Sequence, residues 1–113
     1  MTILDTTTGK VIAALPIGEK VDGNGFDVGT GLAFSSNGDG TLTIARETSP
    51  DNFEIQETVV TQHGSRTMTI DPVSHNIYLP AAQFSLPVES GQEGSKHQPI
   101  MVKDSFEVLV VGK

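Results

Sequence analysis

The sequence predicts an all-β fold of antiparallel strands arranged in four-stranded units. Three observations predict it. First, one turn signal recurs: Asp5-Thr-Thr-Thr8-Gly9, Asp27-Val-Gly-Thr30-Gly31 and Asp71-Pro-Val-Ser74-His75. In each, an Asp can accept from backbone N–H groups of its own turn, and Thr or Ser stands three residues on. The next position suits φ > 0, which Gly adopts without steric cost. Second, Asp27 and Asp71 lie 44 residues apart, with Asp5 half that distance before Asp27. A hairpin recurring at that period suits the blade of a propeller. Third, no stretch carries the i, i+3, i+4 apolar spacing of a helix.

Each element follows in chain order. Thr2 to Leu4 is a short run of β-formers, and Lys10 to Ile17 returns after the first turn. There Val11, Ala13 and Leu15 share one face, and Ile12, Ala14 and Pro16 the other. Gly23 to Asp27 is a Gly-rich strand that suits tight packing. Gly31 to Ser35 is apolar. Asn37-Gly38-Asp39-Gly40 predicts a primed hairpin turn centred on Gly38 and Asp39, because Asn-Gly and Asp-Gly both favour such turns. Thr41 to Ala45 alternates. Ser49-Pro50-Asp51-Asn52 is a turn, and Phe53 to Thr61 offers Phe53, Ile55 and Val59 for burial. Arg66 to Ile70, Asn76 to Ala82 and Phe106 to Val111 complete the strands.

At the 44-residue offset the chain aligns with itself: Phe26-Asp27 falls on Ile70-Asp71, Thr30 on Ser74, and Ala33-Phe34 on Ile77-Tyr78. Upstream, Val11 falls on Ile55 and Leu15 on Val59. Read as propeller strands a to d from axis to rim, residues 1–18 supply the outer strands of one blade. Residues 19–63 supply a complete blade, and residues 64–113 a final blade without its outer strand. An insertion at about 84–105, rich in Ser, Gly, Glu, Gln and Pro, reads as a polar loop. Its segment Glu89 to Ser95 is expected to tolerate deletion.

These residues resemble the YVTN-type β-propeller repeat proteins of bacteria, a seven-bladed family. The hallmark hairpin D-x-x-T-G-x-V stands here as Asp5-Thr-Thr-Thr-Gly-Lys-Val11, followed by an apolar strand ending in Pro16-Ile17-Gly18. The stretches Gly31 to Ile44 and Arg66 to Pro72 look like C-terminal blades of such a protein. A full propeller of that kind takes about three times these residues. The resemblance therefore implies an incomplete propeller of about two blades, part of a larger one, in a periplasmic or envelope-associated setting.

Composition narrows the chemistry. The formal net charge of -7 argues against nucleic acid and anionic membranes, both of which need clustered Lys and Arg. Cysteine is absent, which removes disulfides, thiolate metal sites and cysteine nucleophiles. No apolar run approaches the ~20 residues of a membrane-spanning helix. The start, Met1 to Asp5, shows no signal peptide.

Motifs for catalysis are missing. Gly-x-Ser-x-Gly does not occur, and Ser35 and Ser36 sit in a strand leading to a hairpin. No Gly-rich stretch joins a strand to a helix in the manner of a phosphate loop. His63, His75 and His97 lack a ligand spacing suited to zinc, so each reads as structural or solvent-exposed. No cofactor or metal is expected, and no catalytic residue is assigned.

The strand order instead predicts a contact surface. In a propeller, the d–a and b–c connections share one face. That face collects Glu19 to Asn24, Asn37 to Gly40, Gln62 to Arg66 and the insertion. Asp22, Asn24, Asp39, His63 and Arg66 are the candidate contact residues. Arg66 is a lone base before an inner strand, able to hold a carboxylate or phosphate with two parallel bonds. The simpler reading pairs it with a neighbouring Asp.

The function expected is a non-catalytic scaffold or binding module for a protein or small-molecule ligand. Its unpaired edge strands are expected to self-associate, or to meet the missing blades. In particular, Lys10 to Ile17 of one copy is expected to pair beside Phe106 to Val111 of another. The alternative is part of an enzyme or cofactor-binding propeller of the quinoprotein or lactonase kind, with its site at the axis.

Overall fold

The computed structural model describes residues 1–85 and 100–112. Among them every regular element is a strand. The strands are β1 (Thr2–Leu4), β2 (Val11–Ala14), β3 (Val21–Asp27), β4 (Leu32–Asn37), β5 (Thr41–Ser49) and β6 (Asn52–Val60). They continue with β7 (Thr69–Ile70), β8 (Ile77–Ala81), β9 (Phe84–Ser85), β10 (Ile100–Met101) and β11 (Glu107–Val111). All pairings are antiparallel. β3, β4, β5 and β6 form a four-stranded meander. β7, β8 and β11 form a three-stranded sheet in the order β11-β8-β7, while β1-β2 and β9-β10 are two-stranded. None of the sheets closes on itself. The predicted all-β class is therefore observed.

All three recurrent turns share one construction. The N–H of Gly9, Gly31 and His75 donates to the carbonyl of Asp5, Asp27 and Asp71, at 2.7, 2.8 and 2.7 Å. Each Asp side chain accepts from the N–H two residues on, at Thr7, Gly29 and Val73. Thr30 and Ser74 add their hydroxyls to Asp27 and Asp71 at 2.9 and 2.8 Å. The fifth position takes φ of +72° at Gly9, +71° at Gly31 and +64° at His75. His75 thus occupies a glycine position of the motif.

The hairpin at Asn37 differs from its prediction. The loop holds three residues, since Asn37 pairs with Thr41. Gly40 N–H donates to the Asn37 carbonyl at 3.1 Å, and positive φ falls on Gly40, at +92°, rather than on Gly38 and Asp39. A turn followed by one left-handed Gly also matches strand twist, which is why the same residues serve this longer loop. The strand expected over Arg66 to Ile70 shortens to Thr69–Ile70. The Glu89 to Ser95 segment lies outside the described residues.

The core forms where the two larger sheets meet. Phe34, Leu42 and Ile44 on β4 and β5 are buried with Ile77 and Leu79 on β8, and Val59, Met68, Ile70 and Leu109 pack around them. Glycine permits the close approach on one side: a Cβ on Gly23 would lie 2.5 Å from Thr67 Oγ1, and one on Gly25 2.8 Å from Ile70 Cδ1. Strand alternation sends Ser35, Asn37 and Thr43 to the opposite face of the meander. These polar residues are buried as well. Asn37 donates its amide to Thr41 and Thr43 hydroxyls, at 3.0 Å each, and accepts from Ser35 at 2.9 Å. Gly18 N–H reaches Thr43 Oγ1 at 3.4 Å, so the connection after β2 covers this face. Mutual satisfaction makes the burial of these groups tolerable.

The chain is elongated, 56 × 31 × 21 Å, with a radius of gyration of 17.1 Å. A compact domain of this length would measure roughly 13 Å.

Candidate functional site

Three loops converge beyond the ends of β4 and β5. Gly38 N–H donates to the Lys20 carbonyl at 2.8 Å, Gly64 N–H to the Gly38 carbonyl at 2.9 Å, and Thr61 N–H to the Gly40 carbonyl at 2.8 Å. The 37–40 hairpin is thereby zipped between residues 19–20 on one side and 61–64 on the other. Arg66 joins them through its N–H, which donates to the Pro80 carbonyl at 3.1 Å.

These loops, the end of β8 and the segment at Met101 and Phe106 border a pocket of about 600 Å³. Lys20, His63 and Arg66 line it together with Pro80, Ala82 and Phe106. Of the five predicted contact residues, the pocket brings together His63 and Arg66. Asp22 and Asn24 are exposed on β3 and do not line it. Asp39 stands at the hairpin tip, engaged by its own loop. Its carboxylate accepts from the Thr41 hydroxyl at 2.6 Å and from Glu19 N–H at 2.8 Å. The Thr41 hydroxyl and the Glu19 N–H hold the Asp39 carboxyl below its ordinary range against the opposing effect of burial, and the charge of His63 adds to this.

The ion pair suggested for Arg66 is not formed among the described residues, and its side chain is exposed. Lys20 was not singled out in the sequence. It takes φ of +58°, a left-handed conformation unusual for a side chain of its type. No local pattern marks that position; the Gly38 N–H bonded to its carbonyl, and the bonds between Glu19 and Asp39 beside it, tie the segment to the hairpin. Phe106 and Met101 were not among the predicted contact residues, because their place in the pocket depends on how distant segments pack. Ser65, between His63 and Arg66, is fully buried, and its hydroxyl has no partner among the described residues.

A second polar centre lies at the other end of the sheets. His75 Nδ1 is 2.7 Å from Asp27 Oδ2. Asp27 is 3% exposed and also binds Gly29 N–H at 3.0 Å and the Thr30 hydroxyl at 2.9 Å. Burial raises the Asp27 carboxyl, but bonds from Thr30, His75 and Gly29 outweigh it, and the net position is below the ordinary value. An ionised Asp27 only accepts, so the proton of this contact sits on His75 Nδ1. The arrangement ties two turns together. Among the described residues no group of His, Asp or Glu is placed to hold a metal ion. His97 lies outside the described residues. Among the described residues no helix is long and apolar enough to cross a membrane.

No protein-family model matches the chain, and neither a curated protein nor a solved structure is significantly similar to it.

Proposed function

We propose that the chain is a non-catalytic β-propeller scaffold and binding module, a portion of a larger ring whose blades are the sheets described above. One observation carries this reading. A four-stranded antiparallel meander packs its apolar face on the sheet that follows it, through Phe34, Leu42 and Ile44 against Ile77 and Leu79. Successive blades of a propeller stack in this way. The YVTN-like turns at Asp27 and Asp71 support the same reading, since each joins the first two strands of its sheet, β3 to β4 and β7 to β8, while the Asp5 turn joins the outer pair β1 and β2.

The scaffold associates through its edges. Among the described residues β11 pairs with β8 alone, which leaves its other side open. Val108 and Val110 on it are 49% and 56% exposed. An apolar open edge recruits another strand. Lys10 to Ile17 of a second copy, or a strand of a further blade, is the occupant.

The test uses the absence of native cysteine. Chains with Ala14→Cys are mixed with chains with Val108→Cys and oxidised. Strand pairing brings such positions within the ~3.8 Å Cβ separation that a disulfide needs. A mixed disulfide dimer, in excess over a control in which Val73→Cys replaces Val108→Cys, is the expected result. Equal yields would contradict the pairing.

A further inference from the structure

We propose that the pocket between Lys20, His63, Arg66, Ala82, Met101 and Phe106 binds a small organic anion that has a carboxylate head and an apolar body. The inference deepens the binding-module reading and does not rest on edge pairing, so each can fail alone.

Size is the first support. The pocket's volume of about 600 Å³ falls inside the roughly 300–1,000 Å³ typical of small-molecule sites. Charge is the second. The chain carries a formal net charge of -7, yet the polar side chains on this pocket are Lys20, His63 and Arg66. Two permanent cations and an imidazole thus stand on one rim, with no carboxylate among the described lining residues. Among the described residues neither Lys20 nor Arg66 makes a salt bridge. The carboxylate of the adjoining hairpin, Asp39, is committed to Thr41 and Glu19. Among the described residues no salt bridge occupies the guanidinium fork, and its geometry fits a carboxylate with two parallel bonds.

The apolar wall is the third support. Met101 and Phe106 are 55% and 64% exposed although both line the pocket, and Pro80, Ala81 and Ala82 continue the surface. Large apolar side chains left open beside cations suit a ligand with a charged end and an oily end. A purely ionic ligand such as inorganic phosphate would leave that wall in water. A neutral hydrophobe would leave the cations without a partner.

The backbone is prepared for the role. Lys20 is held left-handed at the rim, a conformation that disfavours residues other than Gly and persists where the surroundings impose it. Gly38 leaves room for it: a Cβ there would lie 3.1 Å from Lys20 Cβ. Arg66 is fixed at its N–H by Pro80. Main-chain bonds thus fix the backbone from which both cationic side chains extend, and the side chains themselves order when the ligand binds.

The experiment titrates octanoate into the full chain by calorimetry and follows backbone amides by NMR. Acetate and neutral octanamide are the controls. Octanoate should saturate and shift the amides of Gly38, Gly64 and Ala82. Acetate and octanamide should bind about tenfold more weakly or worse, since each lacks one half of the contact. Arg66→Gln should weaken octanoate by about tenfold or more with an unchanged thermal melt, because one charge-assisted bond pair is lost. Phe106→Ser should weaken octanoate and leave acetate unaffected. Should Arg66→Gln fail to fold, Lys20→Gln reads the same charge. No saturable octanoate binding, equal affinity for octanamide, or unchanged affinity in the folded charge variant would overturn the proposal.

Discussion

His75 of one turn donates its Nδ1–H to the buried carboxylate of Asp27 in another, at 2.7 Å, and so clamps the four-stranded sheet to the three-stranded one. The two residues hold different positions of the same turn motif. Asp27 is the residue that organises its turn, and His75 is the left-handed residue that completes the next. A glycine at position 75 would build the same turn without the clamp.

Acid should weaken the fold through this contact. The Asp27 carboxyl lies below its ordinary value in the folded state, as do those of Asp39 and Asp71. For Asp71 the Val73 N–H is the main cause and the Ser74 hydroxyl the next. A depressed carboxyl contributes stability that is fully present above its unfolded value and is lost as pH falls through the folded one. Melting temperature should therefore drop as pH falls below about 4. Asp27→Asn should lower the melting temperature at neutral pH and reduce that acid dependence. A flat profile between neutral and strongly acidic pH would contradict the sign.

Truncating the core between the sheets should cost more than any surface change. Leu42 and Leu79 are both fully buried, from opposite sheets. Leu42→Ala and Leu79→Ala should each destabilise by about 2–5 kcal/mol in a denaturant melt, from lost transfer energy and the cavity left behind. The double variant should fall short of the sum, because the two sites share one cavity.

At the 37–40 hairpin, Gly40→Ala should cost about 1–3 kcal/mol, since its φ is positive. The new Cβ would also lie 3.1 Å from His63 N. Gly38→Ala should cost less, because its φ is ordinary and only the Lys20 contact tightens. Urea midpoints rank the two, and the reverse order would contradict the loop assignment.

Close approach at β3 should be equally sensitive. Gly25→Val places a branched side chain where Ile70 Cδ1 already stands, 2.8 Å from the would-be Cβ. Overpacking of this kind costs about 1–3 kcal/mol. Thermal melts of Gly25→Val against Asn24→Val, at the exposed neighbouring position, isolate the effect.

The sequence made the turns and strands legible because their chemistry is local. Asp5, Asp27 and Asp71 each bond groups within their own turn, so residue types and spacing suffice to find them. The glycines of β3 were legible for a similar reason: glycine at the alternate positions 23 and 25 leaves one face of the strand bare there and announces a close neighbour. Tertiary features were not. Nothing local distinguishes the buried Ser35, Asn37 and Thr43 from a solvated polar face; the covering segment at Gly18 makes the difference. The partnership of Asp27 with His75 spans 48 residues. Of the candidate site, His63 and Arg66 follow from loop connectivity, whereas Asp22 and Asn24 share their loop or strand but not the pocket. Lys20, Met101 and Phe106 enter it only through packing between segments far apart in sequence.

The central claim is that these sheets are blades whose open edges pair between copies. Light scattering on the size-exclusion eluate at micromolar concentration tests it most directly. The account predicts a discrete mass at a whole-number multiple of the 12.0 kDa chain, falling toward the single-chain mass when Val108→Lys and Val110→Lys charge the β11 edge. A folded wild-type protein that stays at 12.0 kDa throughout would contradict it.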